Sequence, residues 1–347
     1  MPPLWKVVPP LPLPKNIFLR VVAIFTGMIM VLCNSPRVLL KYVNLERKDG
    51  NGWKGIFENI FLNAHILSHK LDWLHFGFSA VALRRENVAN AIGAKMAVSF
   101  RGYDIAVYPL KHKDCYKLHW SKVDKVHTIS NDLLQRAYKL GLPSDTPHMT
   151  IPPAIDAGKF DGNECNPLGG ELQILTVARL TWIKGLSYAL SAMKILKESG
   201  VKFHYTIVGD GEERDNLSFI VHQLGLQREV TLLGKIKSEQ LPSYFHQSDI
   251  YLQPSVHEGF CNAALEAQAA GLLCIVTGAG GLKENVIDKK TGWVVDARNP
   301  QAIADAIIDA SELPKNEKDL MISFAQKRIT DTYTLNTQRR SFNLFYD

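Results

Sequence analysis

Residues 172–208, LQILTVARLTWIKGLSYALSAMKILKESGVKFHYTIV, contain the pattern that decides the fold. An apolar run rich in β-branched residues, Leu172–Ala178, is followed by the helical segment Leu186–Glu198 and by a second apolar run, Phe203–Val208. A strand, a helix and a strand in this order form a βαβ unit, whose two strands lie parallel in one sheet. Ligands of such sheets bind at the carboxyl ends of the strands, so the functional residues are sought in the loops there.

Strands and helices alternate in the same way along the rest of the chain from residue 72. Further strands are predicted at Asp72–Phe76, Met96–Phe100, Lys125–Ile129, His148–Ile151, Val230–Leu233, Ile250–Leu252, Leu273–Val276 and Gly292–Val295. Further helices are predicted at Glu213–Leu224, Glu239–Gln247, Asn262–Ala270 and Gln301–Ala310. This alternation predicts an α/β protein whose parallel sheets are covered on both faces.

Two prolines and a glycine-rich segment divide the chain. Pro152 and Pro153 stiffen a turn, and the sequence DGNECNPLGG at 161–170 cannot hold a helix. We therefore predict a first domain over residues 72–152 and a second over 153–314. A hydrophobic and basic helical segment, 1–71, precedes them. Two helices that break near Tyr333–Leu335 occupy 315–347.

The composition is that of an ordinary globular protein in a reducing compartment. The 347 residues are 46% apolar and 21% charged, which is enough chain for two domains with their own cores. Five cysteines lie far apart, at positions 33, 115, 165, 261 and 274, with no Cys-x-x-Cys pair and no zinc-ligand spacing. We expect no structural metal.

The net charge of +6 is distributed unevenly. Residues 1–150 contain 20 Lys and Arg against 10 Asp and Glu, and residues 151–347 contain 20 against 24, so the halves are +10 and −4. A basic half can meet nucleic acid, an anionic membrane surface or a phosphorylated substrate. Because no helix-turn-helix, zinc finger or aromatic platform organises these cations, a nucleic-acid partner is disfavoured.

The N-terminal region contains one hydrophobic segment. Met1–Pro14 is rich in proline and lacks the basic start and small-residue cleavage site of a secretory signal. Ile17–Cys33 is apolar, but Arg20 leaves only Val21–Cys33 uncharged, and a membrane-spanning helix needs about 20 apolar residues. A packed helix, a helix on a membrane surface and a true span remain open. Flanking cations favour the membrane surface: Lys15, Arg20, Arg37, Lys41, Arg47 and Lys48.

The loop after the first strand of the second domain contains two cations, Arg179 and Lys184. A helix begins directly after them, and a helix start offers free N–H groups and about half a positive charge. Cations beside such a helix start form a receptor for a diphosphate. The alternative is that both are solvated surface cations.

Two carboxylates, Glu258 and Glu266, are separated by seven residues. Eight helical steps of 1.5 Å correspond to about 12 Å, whereas the paired carboxylates of glycoside hydrolases lie roughly 5–9.5 Å apart. We therefore expect two separate roles, one carboxylate accepting hydrogen bonds from a sugar and the other from a ribose diol. An exposed helical glutamate is the alternative for Glu266.

Further candidates follow other strands. Val208–Gly211 and Gly278–Gly281 lack the dinucleotide-binding fingerprint and are interpreted as tight turns whose backbone approaches a ligand. No Asp-x-Asp pair offers a metal clamp, so cations and helix ends must meet the phosphate charge. His75-Phe-Gly77 and Arg101-Gly-Tyr-Asp104 end strands of the first domain, where a structural role is the alternative.

These motifs together resemble glycosyltransferase family four, whose members are retaining enzymes that use nucleotide sugars. The resemblance runs from about Asp72 to the C-terminus and is dense in the second domain. It rests on Arg179, Lys184-Gly185, Gly209-Asp-Gly211, Pro254-Ser255, Glu258-Gly-Phe260, Glu266-Ala267, Ala270-Gly271, Gly280-Gly281, Glu284 and Thr291-Gly292. The first-domain motifs are similar to those of members that build colanic acid and other bacterial exopolysaccharides.

The resemblance implies the GT-B fold, in which two Rossmann-like domains face a central crevice and the last helix crosses back to the first domain. It assigns catalytic roles to Glu258, Arg179 and Lys184. It implies that the nucleotide sugar is held by Arg179, Lys184, Gly209, Gly234, Lys235, Ile236, Glu258, Gly259, Phe260, Asn262 and Glu266. The acceptor side would include His75, Gly77, Arg101 and Asp104. No metal and no cofactor are implied.

Two departures from the family stand out. Arg101 replaces a histidine of many relatives and could meet phosphate instead. Nothing before Asp72 resembles the usual opening strand and glycine-rich loop, so the first domain is expected to be incomplete, with about four strands.

The implied activity is transfer of a hexose, with retention, from a nucleoside diphosphate sugar to a saccharide or lipid-linked saccharide acceptor in cell-surface polysaccharide biosynthesis. The enzyme would act in the cytoplasm, at the inner face of the membrane. Two alternatives stay open. One is a nucleotide-sugar epimerase of similar fold, and the other is a remnant that binds the nucleotide sugar without catalysis.

Overall fold

The computed structural model describes residues 14–160 and 170–347, which form two compact units. The first unit comprises the described residues up to Thr128, together with Leu134–Met149 and Tyr346. The second unit comprises Ile129–Leu133, the described residues from Thr150 to Phe345, and Asp347. The proline-rich start of the chain and most of the predicted glycine-rich linker, with Cys165, lie outside the described residues.

The first unit is built on a four-stranded sheet. Its strands are β1 (Trp73–Phe76), β2 (Lys95–Phe100), β3 (Lys125–Thr128) and β4 (His148–Thr150), in the order β1-β2-β3-β4. Strand β2 pairs in parallel with both β1 and β3. The prediction of about four strands is confirmed, and each observed strand begins and ends within about one residue of the predicted limits.

Within residues 14–160, nine helices precede, connect or follow these strands. They are α1 (Ile17–Asn34), α2 (Pro36–Lys48), α3 (Trp53–Leu67), α4 (Ser79–Ala82), α5 (Val88–Ile92), α6 (Gly102–Ala106), α7 (Tyr108–Lys111), α8 (Lys117–Trp120) and α9 (Asn131–Lys139). The first turn of α9 is grouped with the second unit.

Helix α1 contacts the rest of the first unit through a narrow face. Only Gly27 and Val31 of this helix are buried, and a Cβ atom added at Gly27 would lie 3.0 Å from Phe61 Cα of α3. Arg20 reinforces the contact because its guanidinium lies 2.7 Å from the Glu58 carboxylate. Among the described residues α1 is the one helix long and apolar enough to cross a membrane, by length and composition alone.

The second unit contains a six-stranded parallel sheet. Its strands are β5 (Leu172–Val177), β6 (Phe203–Val208), β7 (Val230–Gly234), β8 (Ile250–Gln253), β9 (Leu273–Thr277) and β10 (Trp293–Val295), in the order β10-β9-β8-β5-β6-β7. The chain builds one half of the sheet from β5 outward and then returns to build the other half from β8. The topological switch point, where such sheets bind ligands, therefore lies between β5 and β8.

Seven helices complete the described part of the second unit. They are α10 (Leu186–Glu198), α11 (Arg214–Gln223), α12 (Leu241–His246), α13 (Asn262–Ala269), α14 (Pro300–Glu312), α15 (Lys315–Thr332) and α16 (Leu335–Tyr346). The predicted break between the last two helices is confirmed. The helix predicted over Glu239–Gln247 is wrong at its start, because a 3-10 turn, Ser238–Gln240, precedes α12. Pro242 lies in the first turn of α12, where its missing N–H does no harm.

Apolar side chains of the second sheet are buried on both of its faces. Ile174 belongs to one buried cluster and the adjacent Leu175 to the other, and Ile250 and Tyr251 are divided in the same way. Successive residues of a strand point to opposite faces. The continuous apolar runs in the sequence therefore reflect strands that are covered on both sides.

Candidate functional site

An ion pair joins the loops that follow β5 and β8. Lys184 lies at the end of a 3-10 turn, Trp182–Lys184, and its Nζ contacts Oε2 of Glu258. Each of the two side chains is 16% exposed. Because the two loops flank the switch point of the sheet, the pair lies where a ligand of this fold is expected.

Backbone contacts bring the two loops together. Gly185 has φ +64°, and a Cβ atom at this position would lie 2.1 Å from the carbonyl oxygen of Pro254. The N–H of Val256 donates to the carbonyl of Ile183 at 2.8 Å. Glycine at 185 is therefore required both by the backbone angle and by the closeness of the β8 loop.

The backbone at Glu258 is held by the loop after β9. Gly281 N–H donates to the Glu258 carbonyl at 2.8 Å, and a Cβ atom at Gly281 would lie 2.0 Å from the carbonyl oxygen of Gly259. Glu258 therefore lies in a fixed loop before α13, not on the helix. The 12 Å axial separation from Glu266 does not apply, because it assumed eight helical steps.

The loop around Gly209 lies against the segment that contains Arg179. Gly209 has φ +139°, and a Cβ atom there would lie 1.8 Å from the Ala178 carbonyl oxygen. Gly209 N–H donates to the carbonyl of Gly234 at 2.9 Å. The prediction of a tight turn is confirmed, but the close approach is made to the chain's own backbone. Lys235 and Asn262 are exposed and Ile236 is half-buried.

Two predicted charged residues lack a partner among the residues that the structure describes. Arg179 is exposed after the end of β5. Glu266 lies about one turn inside α13, is half-buried, and burial raises the pKa of its carboxyl. Neither side chain makes a hydrogen bond or ion pair within the described ranges, so both are available to a ligand.

Phe260 lines a cavity of about 380 Å³ in the second unit. Its ring centroid lies 5.9 Å from that of Tyr333, whose hydroxyl accepts a hydrogen bond from Arg328 at 2.6 Å. The resemblance assigns the Phe260 backbone to the donor sugar, whereas the structure shows that its side chain packs in this cavity. The other lining residues are Ile129, Asn131, Thr150, Pro152, Lys283, Glu284 and Ile287.

In the first unit, His75 belongs to a hydrogen-bonded row across three strands. Its Nε2 lies 2.8 Å from Ser99 Oγ, which also lies 2.8 Å from Nδ1 of His127, and its Nδ1 contacts the hydroxyl of Tyr346. Burial, followed by the nearby His127 and Arg101, lowers the pKa of His75 to about 3. The imidazole is therefore neutral at pH 7.

Asp104 supports the local fold. It is 1% exposed, and its two carboxylate oxygens each accept a backbone N–H at 2.9 Å, from Ser79 and from Arg101. Burial raises the pKa of this carboxyl to about 6, against the lowering effect of these hydrogen bonds. Its assignment to the acceptor side stays a prediction, while the structure shows both carboxylate oxygens hydrogen-bonded to the backbone and the residue 1% exposed.

Arg101 and Gly77 contact each other beside Asp104. Arg101 Nε donates to the Gly77 carbonyl at 3.2 Å, and its guanidinium lies 5.3 Å from the centre of the Phe78 ring. Both residues are exposed. Their assignment to the acceptor side stays a prediction.

Sequence reasoning did not assign a role to three polar residues close to Glu258. Tyr251, Gln253 and Ser255 are fully buried and hydrogen-bonded in a row that ends near the Glu258 carboxylate. The available signal was a glutamine that ends an apolar strand and a serine two residues later. Such a pair points to the same side of an extended chain.

Residues 163–328 match the family described as Glycosyl transferases group 1. This part of the chain is similar to the group 1 glycosyltransferases. Two curated bacterial relatives are similar to a longer part of the chain. It is 28% identical to WcaL of Escherichia coli K12, named for colanic acid biosynthesis, over 74% of this chain and 64% of WcaL. It is 29% identical to the amylovoran biosynthesis glycosyltransferase AmsK of Erwinia amylovora, over 69% of this chain and 60% of AmsK. The chain thus spans less than two thirds of either relative.

Solved structures show the fold of the chain. A glycosyltransferase from Rickettsia africae superposes with a TM-score of 0.68 and 20% identity, covering 95% of this chain and 82% of that one. HepE of Anabaena, solved in complex with UDP and glucose, superposes with a TM-score of 0.67 and 17% identity, over 79% and 77%. The fold is GT-B, as the sequence motifs implied.

Replacement of Gly185 by alanine tests the contact between the loops that follow β5 and β8. We expect Gly185→Ala to lower the free energy of unfolding by more than the roughly 1–2 kcal/mol of a left-handed alanine, because its Cβ also meets the Pro254 carbonyl. Gly200→Ala is the matched control, since Gly200 has φ +78° with nothing within 4 Å. Urea denaturation measures both, and equal losses would contradict the account.

The buried His75 predicts a loss of stability in acid. Its pKa of about 3 in the folded chain lies below the ordinary 6.5, so the unfolded chain binds the proton first and stability falls as pH drops from about 6.5 towards 3. We expect His75→Gln to make the urea midpoint less dependent on pH between 7 and 4. The exposed His112→Gln is the control. A His75→Gln profile parallel to that of the wild type would refute the prediction.

Proposed function

We propose that this protein transfers a hexose, with retention and without a metal, from a nucleoside diphosphate sugar to a saccharide or lipid-linked saccharide acceptor. The observation that carries the proposal is the ion pair between Lys184 and Glu258 at the switch point of the second sheet. WcaL and AmsK, named for exopolysaccharide biosynthesis, support a role in building a cell-surface polysaccharide. HepE structures that contain UDP or UDP-glucose support a nucleotide-sugar donor.

In this proposal the cations hold the donor diphosphate. Arg179 is exposed and unpaired within the described ranges, and Lys184 lies two residues before the first residue of α10. The start of α10 adds free N–H groups to the two side-chain charges. Stabilising a leaving diphosphate is mainly an electrostatic task, and these groups supply positive charge without a metal.

The two glutamates bind different parts of the donor. Glu258, with the backbone of Gly259 and Phe260, accepts hydrogen bonds from the sugar. Glu266 accepts hydrogen bonds from both hydroxyls of the ribose, which suits a half-buried carboxylate whose pKa is raised by burial. The backbone at Gly234, with Lys235 and Ile236, meets the base.

Two substitutions test the donor site. We expect Lys184→Ala and Glu266→Ala each to reduce donor-dependent release of nucleoside diphosphate by a hundredfold or more, since each removes a charge-assisted hydrogen bond from the donor complex. Lys194→Ala and Glu312→Ala remove exposed charges from α10 and α14 and serve as controls. The assay uses UDP-glucose, GDP-mannose and ADP-glucose, with and without EDTA.

The outcomes of this assay separate the proposals. Unchanged turnover in both variants would remove the proposed site, and loss of activity with EDTA would refute metal independence. Release of nucleotide without any acceptor favours the epimerase. Donor binding without glycosylation of any saccharide favours the non-catalytic remnant.

We also propose that helix α1 lies on an anionic membrane surface at the cytoplasmic face. Gly27 and Val31 pack inward, while Phe18 and Phe25 are 72% and 64% exposed. An apolar helix face next to a basic segment binds both the acyl boundary and the lipid headgroups. This position would bring the protein to the membrane surface where a lipid-linked acceptor lies.

Vesicle flotation tests the membrane contact. We expect the wild type to float with vesicles that contain anionic lipid and to be released by alkaline carbonate, and the double variant Phe18→Glu, Phe25→Glu not to float. Leu110→Glu, which changes an apolar residue that is 84% exposed elsewhere in the first unit, is the control and should float. A wild type that stays in solution would contradict the proposal, and resistance to carbonate would indicate a spanning helix instead.

A further inference from the structure

A row of buried hydrogen bonds leads along β8 to Glu258. The Tyr251 hydroxyl donates to Gln253 Oε1 at 2.6 Å, and Gln253 Nε2 donates to Ser255 Oγ at 2.8 Å. Ser255 Oγ lies 3.5 Å from Oε2 of Glu258, the same oxygen that contacts Lys184. Tyr251, Gln253 and Ser255 are each 0% exposed.

All the hydrogen bonds in this row are donated in the same direction, from Tyr251 towards Glu258. Gln253 Oε1 has no hydrogen, so Tyr251 must be the donor, and Cys261 Sγ lies 3.5 Å from the same oxygen. With this oxygen engaged, the Gln253 amide nitrogen faces Ser255 and donates to its hydroxyl oxygen. The single hydroxyl hydrogen of Ser255 is thereby left to point towards Glu258.

The surrounding structure keeps this direction. Burial raises the pKa of Tyr251 well above its ordinary value, so its hydroxyl keeps the proton it donates. Thr277 Oγ1 donates to the Ser255 carbonyl at 2.6 Å and fixes the backbone of that residue. Buried polar groups contribute little net stability compared with apolar side chains of the same shape, so a fully satisfied row of three suggests a role beyond packing.

Donor binding would change the surroundings of Glu258. In the proposed function Lys184 holds the diphosphate, so its ammonium shares with the phosphate oxygens, or gives up, the contact that now neutralises the Glu258 carboxylate. A carboxylate that is only 16% exposed is costly to leave without a partner. Apart from Lys184, Ser255 is the side chain in the described part of the chain that reaches the Glu258 carboxylate.

We propose that Tyr251, Gln253 and Ser255 are positioning residues that hold the Glu258 carboxylate towards the donor sugar once Lys184 engages the diphosphate. The inference rests on the proposed function. In the free protein the Ser255 hydroxyl is a second hydrogen-bond donor to Glu258, at 3.5 Å. In the complex with the nucleotide sugar we expect it to lie closer to the carboxylate. The carboxylate then keeps one hydrogen bond from the protein while its remaining lone pairs accept the sugar hydroxyls.

Calorimetric titration tests this role with three ligand pairs: UDP and UDP-glucose, GDP and GDP-mannose, and ADP and ADP-glucose. We expect Ser255→Ala to lower the affinity for the nucleotide sugar by about tenfold to a hundredfold, the range for a hydrogen bond to a charged group. The affinity for the matching nucleoside diphosphate should fall by less than about threefold, because water fills the empty sugar site and solvates Glu258.

Two further variants sharpen the result. Tyr251→Phe should lower the affinity for the nucleotide sugar by a smaller factor than Ser255→Ala does. The double variant Tyr251→Phe, Ser255→Ala should bind the nucleotide sugar no more weakly than Ser255→Ala alone, because the two residues act through the same row of hydrogen bonds. Ser248→Ala is the matched control. Ser248 is also buried, and its hydroxyl donates only to the Tyr244 carbonyl, at 2.7 Å. Its affinities should equal those of the wild type.

Two results would overturn the positioning role. One is a Ser255→Ala variant that binds the nucleotide sugar as the wild type does, and the other is an equal loss of affinity for nucleotide and nucleotide sugar, as general damage to the site would cause. If Ser255→Ala does not fold, Tyr251→Phe is judged by the same two criteria. A wild type that binds none of the six ligands would reject the proposed function, and this role with it.

Discussion

The ion pair between Lys184 and Glu258 is the interaction on which the candidate site depends. Two charges that are each 16% exposed must neutralise each other or be neutralised by a ligand. Close contacts between the surrounding loops hold the two side chains together. Gly185 allows the first loop to touch the second, and Gly281 allows the loop after β9 to close on the Glu258 backbone. The glycines in these loops therefore allow close backbone contacts between separate loops of the chain at the edge of the sheet.

The charged residues of the second unit fall into two sets. Lys184 and Glu258 are satisfied by each other, and Ser255 extends their network into the core through Gln253. Arg179 and Glu266 have no partner among the described residues. In the proposed function this division suits a nucleotide sugar, which has negative charge at one place and hydroxyls at others.

The first unit uses strand-end residues differently. His75 and Asp104 follow or end strands, as residues that meet a ligand often do, yet their polar atoms are engaged inside the protein. Asp104 closes the start of α6 by accepting two backbone N–H groups, and burial raises its pKa to about 6. A polar residue at a strand end is thus weak grounds for a binding role until its own hydrogen bonds are known.

The sequence by itself determined most strands and helices and the number of strands in the first sheet, because hydrophobic periodicity is a local property. The strand order that sets the switch point of the second sheet came from the tertiary structure. The sequence also indicated Lys184 and Glu258 as candidates. Only the tertiary structure decided that these two, 74 residues apart, contact each other, and that Asp104 is enclosed. Such facts depend on how closely separate loops approach and on which hydrogen bonds are already made. Neither can be inferred from the spacing of residues along the sequence, because both arise when distant segments pack together.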